Sequence, residues 1–174
     1  MSYFILSQDE RILDAVEPAG IAEAIPKDML IEARADELTA MNLQFPVRES
    51  RHIEYVDFIE RPVPLLSDKL KQLIEKFLPR QQYYPVGLVD FARMRQDVYW
   101  LTLPLRINCL SDKSEYHRNG MLKRPVLDRD KAGNRPLFQI DHIYETILIV
   151  NLSLAESILR RDFYGLKLKK LDEA

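Results

Sequence analysis

The spacing of apolar and polar positions is clearest in the middle of the chain. In SDKLKQLIEKFLP, Leu70, Leu73, Ile74, Phe77 and Leu78 recur at i, i+3, i+4, i+7 and i+8. That spacing predicts one apolar helix face, with Lys69, Lys71, Glu75 and Lys76 outside. Ser67 suits the N-cap, Asp68 suits the positive end of the helix dipole, and Pro79 stops the helix. A period of two predicts strands on either side. Residues 52–60, HIEYVDFIE, read as a strand ended by Pro62 and Pro64. Residues 84–94 and 98–107 read as two longer strands joined by an Arg95-Gln96-Asp97 turn. In the second, Tyr99, Leu101, Leu103 and Leu105 share one face, and Trp100, Thr102 and Pro104 share the other. Pro104 demands an edge or a bulge, because it has no N–H for a ladder.

The flanks are less regular. Tyr-Phe-Ile-Leu at 3–6 predicts a short first strand, whereas 9–48 mixes helix formers with breakers. In IAEAIPKDMLIEA, Pro26 forbids a through-going helix, so short elements and loops are expected. Residues 126–138 carry a Gly133-Asn134 turn signal and read as a loose hairpin. Ile147–Val150 reads as a buried strand. SLAE after it is a capping box, with Ser153 as cap and Glu156 three residues on. Leu154, Ala155, Ile158, Leu159 and Phe163 supply the buried stripe of that helix, and Gly165 fits its C′ position. In the closing LKLKKL, Leu166 and Leu168 point in. Lys167 and Lys169 point out and protect a terminal strand from edge-to-edge pairing.

These elements predict an α+β fold: a largely antiparallel sheet with about two amphipathic helices packed on it. Residues 1–62 form a less regular N-terminal region expected to pack on the rest, and residues 63–174 the main α+β domain. A chain of 174 residues buries roughly two-thirds of its unfolded surface and needs no metal or disulfide to fold. The start, MSYFILSQDERILD, lacks the flanks of a secretory signal, and no stretch approaches the ~20 apolar residues of a spanning helix. One cysteine, Cys109, forms no internal disulfide. A cytoplasmic, reducing setting is therefore expected, with no membrane partner.

The formal charge of −2 conceals an asymmetry. Residues 1–60 hold 13 acidic and 5 basic side chains, and residues 61–174 hold 14 and 20. Solvated charge of one sign mainly steers association and restricts partners, so the acidic N-terminal part suits a basic partner.

Candidate chemistry concentrates in INCLSDKSEYHRNG, residues 107–120. A nucleophilic site would need Cys109 activated by His117, with Asp112 or Glu115 orienting the ring. Closeness in sequence does not supply that, and a lone cysteine after a strand reads first as a small buried hydrophobe. His52, His117 and His142 have no ligand-like spacing, so no metal is expected. His52 and His142 fall in strand-like segments and read as structural. Neither GxGxxG nor GxxxxGK[ST] is present, so no nucleotide cofactor is expected. Arg118, Lys123, Arg124, Arg129, Lys131 and Arg135 around Tyr116 favour nucleic acid. Asp112, Glu115, Asp128 and Asp130 in the same segment oppose it, so nucleic acid is not an expected partner. Asp128 and Asp130, between Arg129 and Lys131, neutralise neighbours more readily than they serve acid–base chemistry.

Four stretches together resemble the immunity-protein family of bacterial polymorphic-toxin systems, of the kind first described in myxobacteria. PLLSDKLKQLIEKF (64–77) resembles the family's opening amphipathic helix. YWLTLPLRINCLSDKSEY (99–116) is similar to its aromatic strand, Cys-Leu turn and following acidic residue, lysine and serine. KRPVLDRDKAGNRPLFQI (123–140) is similar to its basic strand, acidic loop and Phe-containing return. ILIVNLSLAESILRRDFYGLKL (147–168) is similar to its final strand, helix, glycine and strand. The chain departs from the family pattern at Asn108 and Ser111, where the family carries aspartates.

The resemblance covers about 64–171. It implies a non-enzymatic, cofactor-free antidote that binds and blocks a cognate toxin protein. It carries over no catalytic residues, favours Cys109 and Leu110 as turn packing, and leaves Asp112, Lys113, Ser114, Glu115 and Tyr116 as the polar loop expected to meet the partner. The rival readings are a small enzyme using Cys109 and His117, and a nucleic-acid module using 118–135.

Overall fold

The computed structural model describes residues 2–32 and 34–174. The fold is α+β, as the pattern predicts, but its strands divide between two five-stranded sheets and two small two-stranded ones. Two compact units result. One comprises residues 8–103 and 163–166; the other comprises 1–7, 104–162 and 167–174. The division at Leu103/Pro104 differs from a boundary at 62/63, which falls inside the first unit.

The 8–103 unit begins with short elements, as expected around Pro26. After β1 (Tyr3–Gln8), whose residues 3–7 belong to the other unit, come α1 (Ile21–Ala24), α2 (Lys27–Glu32), α3 (Ala35–Ala40) and β2 (Gln44–Pro46). Pro26 separates α1 from α2, and its carbonyl accepts from the Met29 and Leu30 amides. Of the strand expected over 52–60, only β3 (Phe58–Ile59) forms; Glu54 makes an isolated bridge to Ala15. The reason is Asp57. Its backbone and carboxylate bond to Ser67 and Tyr164, which holds the segment out of a longer ladder.

After a cis Arg61–Pro62 peptide comes β4 (Leu65–Ser67), then α4 (Asp68–Phe77), capped as predicted by the Ser67 hydroxyl accepting from the Leu70 amide at 3.1 Å. Leu70, Leu73 and Ile74 are buried, and α4 packs on β4 and on β6 (Arg95–Thr102). β5 (Tyr83–Asp90) and β6 form the expected hairpin, but the turn is Phe91–Met94. Arg95, Gln96 and Asp97 are strand residues. The strand order is β2-β5-β6-β4-β3. Tyr84, Val86, Leu88, Tyr99 and Leu101 face a core shared with Ile21, Leu30 and Leu38.

The 104–162 unit takes its first strand from the chain start. Its main sheet runs β13 (Leu166–Lys170), β1, β12 (Leu148–Asn151), β11 (Leu137–Ile140) and β7 (Arg106–Ile107). β1/β12 and β11/β12 are antiparallel, while β7/β11 is parallel. The single strand expected over 98–107 is thus two: it stops at Thr102, and β7 begins after Pro104. Leu105, expected to share a face with Tyr99 and Leu101, is exposed whereas those two are buried. All four residues of β11 and of β12 are buried, the continuous run of a strand covered on both faces.

Residues 126–138 are not a hairpin. β10 (Val126–Leu127) pairs in parallel with β14 (Asp172–Glu173), and α5 (Arg129–Ala132) follows, capped by Asp128. The helix α6 (Leu152–Leu159) starts one residue before the expected cap. Asn151 is its N-cap, its side-chain oxygen accepting from the Leu154 amide at 2.9 Å, and Ser153 lies inside the first turn. Leu154, Ala155 and Ile158 are buried, but Leu159 is exposed. Gly165 does not close α6, which ends at Leu159 with Arg160 as its C-cap. It has φ +78° in the 8–103 unit, where a Cβ would collide with the Val56 side chain. β13 is an edge strand with Lys169 and Lys170 exposed, but Leu166, Lys167 and Leu168 are all half-buried, so the strict in-and-out alternation expected there does not hold. β8 (Glu115–Tyr116) and β9 (Leu122–Arg124) form a separate small hairpin.

Candidate functional site

The structure resolves the 107–120 stretch into an inner and an outer part. Ser111 N–H donates to the Val126 carbonyl, Asp128 N–H donates to the Cys109 carbonyl, and Leu110 bridges Leu127. This pairing turns the Cys109 side chain into the core with Tyr3, Phe138 and Ile149, at 0 % exposure. Burial pushes its thiol up to about 11, so at neutral pH it is a protonated hydrophobe that no substrate reaches. His117 lies in the exposed turn of the β8–β9 hairpin, its N–H donating to the Met121 carbonyl. The Cys109/His117 pair is therefore not assembled.

Of the expected partner loop, Asp112, Lys113, Glu115 and Tyr116 are exposed. Ser114 is half-buried and staples the loop: its hydroxyl accepts from the Val126 amide at 2.9 Å and donates to the Val126 carbonyl at 3.1 Å. The six basic residues are partly neutralised. Arg124 pairs with Glu115 and Asp172, Arg129 with Glu173, and Lys131 with Asp128. Arg118, Lys123 and Arg135 are exposed. His52 and His142 are exposed and lie outside strands, not within them as expected. Among the described residues, no group of three His, Cys, Asp or Glu side chains could hold a metal ion. No helix among them is long and apolar enough to cross a membrane.

A site that the sequence reading missed lies in the 8–103 unit. β4 has three residues and β6 has eight, so their ladder covers only Tyr99 and Trp100. The uncovered part of β6 opens a cleft of about 520 Å³ lined by Tyr55, Val56, Asp57, Ser67, Asp68 and residues 96–100. Its lining holds three carboxylates, Asp57, Asp68 and Asp97, and no cationic side chain.

Each carboxylate is held in place. Asp57 accepts from the Ser67 hydroxyl at 2.6 Å and the Tyr164 amide at 2.7 Å. Asp68 accepts from the Trp100 indole N–H at 2.9 Å and the Gln72 amide group at 2.7 Å. Asp97 receives a two-pronged Arg95 guanidinium at 2.9 and 3.0 Å. That guanidinium stacks 3.6 Å over the Tyr55 ring, and Lys71 lies 4.4 Å over Trp100. Tyr55 donates to Asp90 at 2.8 Å. Burial pushes the Asp90 carboxyl up, but bonds from Tyr55 and Arg93 outweigh it and hold it below its ordinary range. The walls are thus rigid and partly aromatic; Arg95 cancels Asp97, while Asp57 and Asp68 are held by neutral donors and leave a negative surplus that suits a cationic group.

The charge of the two units agrees with this. The 8–103 unit carries 17 acidic and 12 basic side chains, net −5; the other carries 10 and 13, net +3. In sequence the cleft residues fall into three groups that read respectively as a strand (55–57), a helix cap (67–68) and a turn running into a strand (96–100). Only the shortness of the segment between Pro64 and the Ser67 cap hints that β6 would outrun its neighbour. Comparison of the chain with protein-family models, with curated proteins and with solved structures finds no match.

Proposed function

We propose that this protein is a non-enzymatic immunity protein that binds a cognate bacterial toxin and blocks it by covering its working surface. The observation that carries the reading is the acidic, aromatic-walled cleft on a unit of net charge −5. Such a surface attracts and orients a basic protein face. The resemblance of residues 64–171 to the immunity family supports the same reading. The sequestration of Cys109 in the core removes the thiol on which the competing enzyme reading depends. Blocking would work by steric and electrostatic occlusion across an interface of about 1,600 Å², the standard size for a stable complex. The exposed 112–116 loop is a candidate rim contact.

The test is co-expression with the toxin-domain gene adjacent to this one in its genome. The expected result is cell survival and a stoichiometric complex on gel filtration whose association rate falls as salt is raised. Continued killing, with the two proteins eluting separately, overturns the antidote role.

A further inference from the structure

The direction of the backbone groups in β6 adds something specific. In β5, the Gly87 N–H donates to the Leu43 carbonyl and the Val89 carbonyl accepts from the Val47 N–H, both at 2.8 Å. Gly87 and Val89 thus turn toward β2 and its flank. Alternation then turns Val86, Leu88 and Asp90 toward β6, opposite Tyr99, Asp97 and Arg95. It follows that Gln96, Val98 and Trp100 present their backbone groups to the other side, where β4 lies. The Ser67 N–H bonds away, to the Asp57 carbonyl, which leaves Leu66 to pair with Trp100. Beyond Ser67 the chain leaves the sheet as α4. The N–H of Val98 and both backbone groups of Gln96 therefore face the cleft. Among the described residues, no turn or loop backbone takes up the Gln96 groups. Gln96 is exposed, and Val98 is 44 % exposed.

We propose that an extended, lysine- or arginine-rich segment of the partner protein adds as a strand to this open edge, continuing the ladder that β4 abandons. Backbone bonds to Gln96 and Val98 supply the anchoring, and side chains supply the selection. An added strand points alternate side chains to opposite faces. On the face carrying α4 they meet Asp68, fixed by Trp100; on the other they meet Asp97, whose parity is that of Tyr99. A basic strand thus finds Asp68, held by the neutral Trp100 and Gln72 donors, on the α4 face and the Asp97–Arg95 ion pair on the other, so the α4 face selects against an acidic strand. This inference rests on the antidote reading, and identifies the kind of toxin segment that docks.

Amide hydrogen exchange of the full-length protein tests it, with the capped peptide Ac-Lys-Val-Lys-Val-Lys-NH2 as probe at millimolar concentration. Exchange at Gln96 and Val98 is expected to be fast in the free protein and slowed at least about tenfold by the peptide. The same peptide N-methylated at every backbone amide, so that neither of its edges can donate, and Ac-Glu-Val-Glu-Val-Glu-NH2, are expected to leave it unchanged. Slow exchange in the free protein, no slowing by the lysine peptide, or equal slowing by its N-methylated form each overturns strand addition. In the co-expression assay, Val98→Pro removes an N–H that faces away from β5, so the hairpin tolerates it; Gln96→Pro is a second variant on the same logic. Loss of toxin protection by a variant that retains the native circular dichroism supports the proposal. Full protection by either variant overturns the edge while leaving the antidote role standing. Failure of the unsubstituted protein to protect overturns the antidote role itself.

Discussion

Residues 107–131 and the cleft beside β6 make opposite use of similar side chains. The first stretch holds the lone thiol, a histidine and a dense run of charge. The fold turns the thiol inward, uses Ser114 as a staple and matches Arg124, Arg129 and Lys131 to carboxylates. The second draws Asp57, Asp68, Asp97, Tyr55 and Trp100 from segments that look ordinary alone, pairs Asp97 with Arg95, and holds Asp57 and Asp68 by neutral donors, which leaves their charge uncancelled. The difference shows why richness in reactive residue types is a poor guide to a site. What matters is whether neighbours in space satisfy those residues or leave them available.

Five substitutions would break or sharpen that contrast. The largest effect is expected in the unit that holds the cleft. Gly165→Ala forces a left-handed backbone on alanine and drives its methyl into Val56, next to the Asp57 hub, and should cost about 2–4 kcal/mol in urea unfolding. A loss under about 0.5 kcal/mol would mean that the segment yields easily and the cleft wall is soft.

Cys109→Ser places a hydroxyl in an apolar core and should cost about 1–3 kcal/mol while leaving toxin protection intact. The native thiol should resist iodoacetamide until the protein is denatured. The pH dependence has a definite sign. The folded thiol titrates above its ordinary 9.0, at about 11, so the unfolded chain releases its proton first. Stability is then lost as pH rises from about 9 toward 11. Cys109→Ser should flatten that part of the profile. Rapid alkylation of the native protein would return Cys109 to the list of candidate nucleophiles.

Asn151→Ala removes the α6 cap and should cost about 1 kcal/mol, against less than about 0.5 kcal/mol for Ser153→Ala. The reverse order in thermal melts would restore Ser153 as the cap. Smallest is Arg124→Ala. Both of its ion pairs are exposed, and a change under about 0.5 kcal/mol is expected in denaturant unfolding. A larger loss would show that the basic segment is a structural girder as well as a neutralised surface.

The chain's own pattern determined the elements whose information is local. The α4 helix from its Ser67 cap, the buried β12 strand and the pairing of two strands as the β5–β6 hairpin, though not the place of its turn, follow from periodicity and capping within about ten residues. The α+β class follows from their sum. Where two signals competed locally, the tertiary contacts chose. Asn151 took the cap because β12 delivers it, half in the strand, to the helix start. Asp57 broke the 52–60 strand because Ser67 and Tyr164 claim its bonds.

The division of one expected strand at Pro104, the burial of Cys109 and the convergence of the cleft residues depended on partners far away in the chain. The single strand expected across Pro104 became β6 and β7 in separate units. Periodicity specifies which face of an element is apolar, but not which neighbour covers it or where that neighbour stops. A three-residue β4 beside an eight-residue β6 is therefore a fact of three dimensions, and the open edge follows from it.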